Sequence, residues 1–219
     1  MRTRVYLFDI DGTLLQTGGA GWRALTGAMR DEFGLQEVAG IELRGRTDYA
    51  IVGDLLRMAR VPARAESRQR LLHAYHTRLG VELKTGVGSI LPGVREVLES
   101  VSGQAESIVG VLTGNGPQGA EIKLRHFGLQ ERFTLGVFGD RRQRRTDLAR
   151  DAMGMLRRRL GEDLTGGEVC IIGDTPADVE CALAIDAKAV GVATGGFSRD
   201  ELIAAGAHLV LNSLADWPN

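Results

Sequence analysis

The chain has 219 residues, 43% hydrophobic and 25% charged, the composition of an ordinary globular protein with room for one large domain or a domain carrying an insertion. A net charge of −1 gives no global attraction for nucleic acid or an anionic membrane, and no apolar run is long enough to span a bilayer. The apolar run at residues 5–10 is too short for a signal peptide and is broken by Asp9. A cytoplasmic location is expected, with Cys170 and Cys181 as buried, reduced thiols.

The first element is "VYLFDIDGTLL", residues 5–15, a strand-like run that ends by delivering Asp9, Asp11 and a Gly-Thr turn. Helical spacing follows. "WRALTGAMRDEFG" sets Trp22, Leu25, Met29 and Phe33 three and four apart and stops at Gly34. "DYAIVGDLLRMARV" repeats the period from Asp48, read as its N-cap, and "ESRQRLLHAYHTRLG" adds a third stripe. Residues 18–80 thus read as nearly all helix, with no strand signal. From "LPGV" onward the pattern alternates: helix at residues 94–101, strand "SIVGVLT", helix "PQGAEIKLRHFG", strand "FTLGVFG", helix over 146–160, strand "EVCIIGD". Helix "PADVECALAI", strand "KAVGVAT", helix "RDELIAAG" and strand "HLVLN" complete the chain. Alternating strands and helices with short connections predict a doubly wound parallel sheet, a Rossmann-like α/β core, covered on both faces. The expected division is a core of residues 1–15 and 89–219 and an inserted helical cap of residues 16–88.

In an open parallel sheet the ligand crevice lies beyond the carboxyl ends of the strands. The first strand delivers Asp9 and Asp11 there, "GVLTGN" delivers Thr113, Gly114 and Asn115, and "CIIGDTPAD" delivers Asp174 and, one helical turn on, Asp178. Four carboxylates in one crevice repel one another unless a cation sits among them, and oxygen ligands with bound water suit Mg²⁺. The order DxDGT, hydrophobic-Thr-Gly-Asn, GDTPxD resembles the haloacid dehalogenase-like superfamily in its phosphatase branch, and the helical insertion after the first motif resembles that family's small cap.

The resemblance implies Mg²⁺-dependent hydrolysis of a small phosphate ester. Asp9 would attack phosphorus to form an aspartyl-phosphate, and Asp11 would protonate the leaving oxygen and then activate water. Thr113, Gly114 and Asn115 would hold the phosphoryl group, while Asp9, the main-chain carbonyl of Asp11, Asp174 and Asp178 would bind the metal. Asp11 argues against dehalogenation, which needs no acid. The cap's only lysine is Lys84, at its edge, which argues against the Schiff-base chemistry of phosphonoacetaldehyde-type hydrolases; the other lysines are Lys123 and Lys188. A sugar phosphomutase or a non-catalytic phosphate-binding regulator are the alternatives.

The family's usual Lys-Pro before the last motif is absent, and the region reads "FGDRRQRRTDLARDAM". Arg145, at the start of a helix, is the favoured substitute, with Arg144 and Lys123 as rivals; Arg141, Arg142 and Arg144 are expected to be solvated. In the cap, "LRGRTDYA" offers Arg46 as a substrate contact, for a carboxylate or second phosphate. His73 and His76 lack an acidic or cysteine partner and are expected to bind no metal. The glycines of "TGGAGW" suit a hinge. By resemblance the first candidate substrate is 2-phosphoglycolate, ahead of sugar phosphates and nucleotides.

Overall fold

The computed structural model of the protein describes residues 3–218. The chain begins with β1 (Arg4–Phe8), makes a short strand β2 (Leu15–Gln16), then builds α1 (Ala20–Phe33), α2 (Asp48–Met58) and α3 (Ala65–Thr85) before β3 (Ser89–Ile90). Alternation follows through α4 (Val94–Ser102), β4 (Ser107–Thr113), α5 (Pro117–His126), β5 (Leu135–Phe138) and α6 (Arg145–Leu160). The chain closes with β6 (Val169–Gly173), α7 (Pro176–Leu183), β7 (Lys188–Val192), α8 (Arg199–Ala204) and β8 (Leu209–Leu211).

Six strands form one parallel sheet in the order β5-β4-β1-β6-β7-β8. Order reverses around β1, so the carboxyl ends of β4, β1 and β6 flank one crevice, the place where such sheets bind ligands. The strands are apolar on both faces because both are covered. Phe8, Val111 and Ile172 pack with α4 and α5 on one side. Leu7, Leu112 and Ile171 pack with α6 and α7 on the other. Each such fully buried side chain contributes about 1.5–3 kcal/mol relative to exposure. Helices α1–α3 carry a separate apolar cluster that includes Leu25, Met29, Leu55, Leu71 and Leu79. Helix α1 stops where the pattern predicted: Gly34 takes φ 67° and its N–H returns to the Arg30 carbonyl.

The structure departs from the sequence reading at three local points. Leu15 and Gln16 pair antiparallel with Ile90 and Ser89, a two-rung ribbon where no strand was expected. Two residues are too few for a period of two to register. The N-cap of α2 is Thr47, whose hydroxyl accepts from the Ala50 N–H, and Asp48 is the first helical residue. Helix α3 runs on to Thr85, past the last apolar residue of its stripe. No helix among the described residues is long and apolar enough to cross a membrane.

Candidate active site

Three elements bring Asp9, Asp174 and Asp178 together. Asp9 follows β1, and its N–H stays in the ladder, donating to the Ile172 carbonyl at 2.9 Å. Asp174 follows β6. Asp178 stands on the first turn of α7, where it and Thr175 form a reciprocal capping box behind Pro176. One oxygen from each carboxylate lies within 4.8 Å of the others, and all three side chains are buried. Backbone approaches closely from two sides: a Cβ at Gly12 would sit 2.5 Å from Asp174 Oδ2, and one at Gly195 would run into the same carboxylate. The Thr13 hydroxyl donates to Asp174 Oδ1 at 2.8 Å.

Arg145, the first residue of α6, supplies the positive charge. Its Nη2 lies 2.7 Å from Asp9 Oδ1 and 2.5 Å from Asp178 Oδ1, with both partners as buried as itself. These contacts lack hydrogen-bond angles, so Arg145 Nε and Nη2 and Asp178 Oδ1 are buried without a directed partner. Burial is the larger influence on Asp9 and, with the neighbouring carboxylates, outweighs Arg145 to push its carboxyl up to about 6. Burial, then Asp9 and Asp178, hold Asp174 well above the ordinary carboxylate range. Arg145 itself is held in its charged form: burial opposes this, but Asp178 and Asp9 prevail. Arg141, Arg142 and Arg144 are exposed, as expected, and Arg142 forks onto Asp151.

Asp11 faces the other way. Its Oδ2 accepts from Lys123 Nζ at 2.6 Å and from Asn115 Nδ2 at 2.7 Å. Lys123 comes from α5, is buried, and also donates to Asn115 Oδ1 at 2.7 Å. Asn115 Nδ2 reaches the Thr113 hydroxyl at 2.9 Å as well, which ties the end of β4 to Asp11. Asp9 and Asp11, two residues apart, therefore each have a cation of their own. The sequence reading placed Arg145 and Lys123 as rivals for one role, whereas both line the same crevice against different acids.

The turn before α2 closes over this crevice. Gly114 O accepts from the Asp48 N–H at 2.7 Å, Gly139 O from Tyr49 at 2.9 Å, and Arg142 O from the Thr47 hydroxyl at 2.6 Å. A side chain at Gly114 would collide with the Arg46 carbonyl, so only glycine admits the contact. The Asp48 carboxylate accepts from Gly116 N–H at 2.7 Å, capping α5, and burial pushes its carboxyl up to about 6 against that hydrogen bond. Between the turn, the helices and the strand ends lies a cavity of about 440 Å³. Its helical wall is largely apolar, with Trp22, Leu25, Ile51, Val52, Leu72 and Tyr75.

Arg46 lines the cavity, but its guanidinium is engaged by Asp54 at 2.6 Å and by the Glu42 carbonyl at 3.2 Å, not held free for an anion. The sequence singled out its charge but not Asp54, one helical stretch away, as the partner. His76 is buried and His73 exposed, and neither belongs to the carboxylate group, the single metal-compatible cluster among the described residues. Side-chain roles for Asn115 and Asp48 escaped the sequence reading because each depends on a neighbour from a distant segment.

The carboxylate cluster suits a divalent cation. Its donors are all hard oxygens, three acids face one guanidinium, and Asp178 Oδ1 is a buried acceptor without a directed donor. The Asp11 side chain stands outside that cluster, turned to Lys123.

The family model for haloacid dehalogenase-like hydrolases matches residues 3–186. Among solved structures, phosphate-bound CbbY from Rhodobacter sphaeroides superposes with a TM-score of 0.74 at 20% identity, covering 98% of this chain and 96% of its own. A hydrolase from Pseudomonas syringae gives 0.72 at 24%, covering 98% and 95%. A predicted phosphoglycolate phosphatase from Haemophilus somnus 129PT gives 0.72 at 18%, covering 98% and 96%. No curated protein matches the chain in sequence. With its motifs gathered at the ends of β1, β4 and β6 and the match running through most of its length, the chain belongs to the haloacid dehalogenase-like hydrolases.

Proposed function

We propose that the protein is a Mg²⁺-dependent phosphatase that hydrolyses a small phosphate monoester through an aspartyl-phosphate on Asp9. The observation that carries this is the separation of the two first-motif acids: Asp9 faces the carboxylate cluster and Arg145, while Asp11 is held on the opposite side by Lys123 and Asn115. That division suits two different jobs. Asp9, in line behind phosphorus, forms the new P–O bond as the ester P–O bond breaks. Asp11 gives its proton to the departing oxygen, then takes one from the water that attacks the acyl-phosphate and frees Asp9. Asp9, Asp174, Asp178 and the main-chain carbonyl of Asp11 would hold Mg²⁺, which when bound offsets the repulsion between phosphate and nucleophile. Thr113 with the amides around Gly114 and Asn115 holds the transferring group, and Arg145 balances its charge. The closed turn over the crevice keeps bulk water from the acyl-phosphate.

Two buried thiols suit a reducing, cytoplasmic setting; burial pushes both Cys170 and Cys181 up to about 12. The test is release of p-nitrophenolate from p-nitrophenyl phosphate with Mg²⁺ and with chelator. A panel of 2-phosphoglycolate, sugar phosphates and nucleotides then ranks the substrates. Turnover that is indifferent to chelator, or no turnover on any monoester, refutes the reading.

A further inference from the structure

We propose that Lys123 is a positioning residue for Asp11: with Asn115 it pins Oδ2, leaving Oδ1 as the oxygen that carries the proton to and from the substrate. The inference rests on the reading of Asp11 as acid and base. Both donors converge on the same oxygen, Lys123 Nζ at 2.6 Å and Asn115 Nδ2 at 2.7 Å, and no protein hydrogen bond reaches Oδ1 among the described residues. Asp11 is otherwise loosely placed, its side chain 41% exposed, whereas the Lys123 side chain is 5% exposed and anchored a second time on Asn115 Oδ1. A rigid, buried donor thus fixes a carboxylate that sits at the mouth of the cavity. Lys123 makes no ion pair with Asp9; that acid belongs to Arg145.

A pinned Oδ2 matters at one step. When the ester P–O bond breaks, its electron pair goes to the leaving oxygen, and the proton on Asp11 Oδ1 moves there while Asp9 bonds to phosphorus. A displaced Asp11 delays proton delivery and hurts only leaving groups that need the proton. An alkoxide needs it; p-nitrophenolate leaves without it.

The experiment measures single-turnover release of the alcohol from p-nitrophenyl phosphate and from β-glycerophosphate for wild type, Lys123→Met, Lys123→Arg and Asp11→Asn, at saturating Mg²⁺. Well-placed general acids contribute roughly a hundredfold or more. Lys123→Met should therefore lose about tenfold to a hundredfold more on β-glycerophosphate than on p-nitrophenyl phosphate, with KM little changed. Lys123→Arg should recover part of that difference, and Lys123→Leu, which likewise removes the donor, stands in if the methionine variant does not fold. An equal loss on both substrates, or a rise in KM without a leaving-group bias, overturns the proposal, because it makes Lys123 a phosphate-binding charge. Asp11→Asn separates the two ideas. A leaving-group bias in Asp11→Asn but not in the Lys123 variants defeats the positioning role alone. No bias in Asp11→Asn defeats the acid-base reading and this proposal with it.

Discussion

Removal of the Arg145 guanidinium is the most informative single perturbation. Arg145 lies 2.7 Å from one Asp9 oxygen and 2.5 Å from one Asp178 oxygen, and all three side chains are at most 6% exposed. At an effective dielectric of about 20, each attraction at these separations is about 6 kcal/mol, so two give about 12 before the cost of desolvating the guanidinium. That cost is several kcal/mol, and breaking a buried pair by deleting one partner typically costs about 3–5 kcal/mol. Arg145→Ala should therefore lower the melting temperature by roughly 6–20 °C for a chain of this size. The same energy taken from the transition state corresponds to about a hundredfold to a few thousandfold in kcat. The two assays are thermal unfolding, with Mg²⁺ and with chelator, and kcat at saturating Mg²⁺. A bound cation replaces part of the missing charge, so Mg²⁺ should narrow the gap in melting temperature. Arg145→Lys should recover part of both losses, since charge returns without the planar fork. Arg141→Ala and Arg142→Ala should leave turnover near wild type. An Arg145→Ala protein that melts with the wild type and turns over within a few-fold of it refutes the assignment of charge balance to Arg145.

Asp9→Asn should fold and lose several orders of magnitude in kcat, on the order of 10³-fold or more for a nucleophile, read by p-nitrophenolate release. Retention of a tenth of the wild-type rate would remove Asp9 from that role. Asp174→Ala should raise the Mg²⁺ concentration for half-maximal activity more than Asp178→Ala does, because Asp178 is also committed to the α7 capping box and Arg145; Ca²⁺, larger and richer in ligands, should inhibit. Gly195→Ala drives a methyl into the Asp174 carboxylate and should raise the same Mg²⁺ requirement, with equal titrations of variant and wild type the contrary result. Asp48 has a folded pKa of about 6 against an ordinary 3.8, so its contribution to stability is complete below the unfolded value and lost as pH rises through 6. Asp48→Asn should accordingly gain melting temperature relative to wild type between pH 4 and 7, and a constant difference would refute the burial of that charge.

Most of the sheet was legible because each strand is an apolar run bounded by turn residues, and the helices between them keep a clean period. The acids were legible for a related reason: a carboxylate at the carboxyl end of a buried strand stands out against its background, as Asp9 and Asp174 do. The supporting contacts were not. Lys123 lies at a half-polar helical position whose partner, Asp11, is more than a hundred residues earlier, and nothing local signals the pairing. Asn115 reads as a turn residue until its side chain is seen to join Thr113, Asp11 and Lys123. Arg46 shows the converse, a conspicuous charge whose partner, Asp54, lies in the same helical layer.

The ribbon of β2 and β3 bears on how such a chain folds. Arg4 of β1 pairs with Ser107 of β4, so the central pairing of the sheet spans a long stretch of sequence. Long sequence separations slow folding, because chain closure must precede the contacts that reward it. The ribbon shortens that path: once Leu15 meets Ile90 and Gln16 meets Ser89, the whole helical insert becomes a side branch. Apart from Ile122 and Phe127, in and just after α5, the apolar cluster of the branch is drawn from the branch itself. The effective distance from β1 to β4 then runs through β2, β3 and α4 alone. Ordering of the insert brings its two ends, Gln16 and Ser89, together, and the closure left between β1 and β4 is then the short one through β2, β3 and α4.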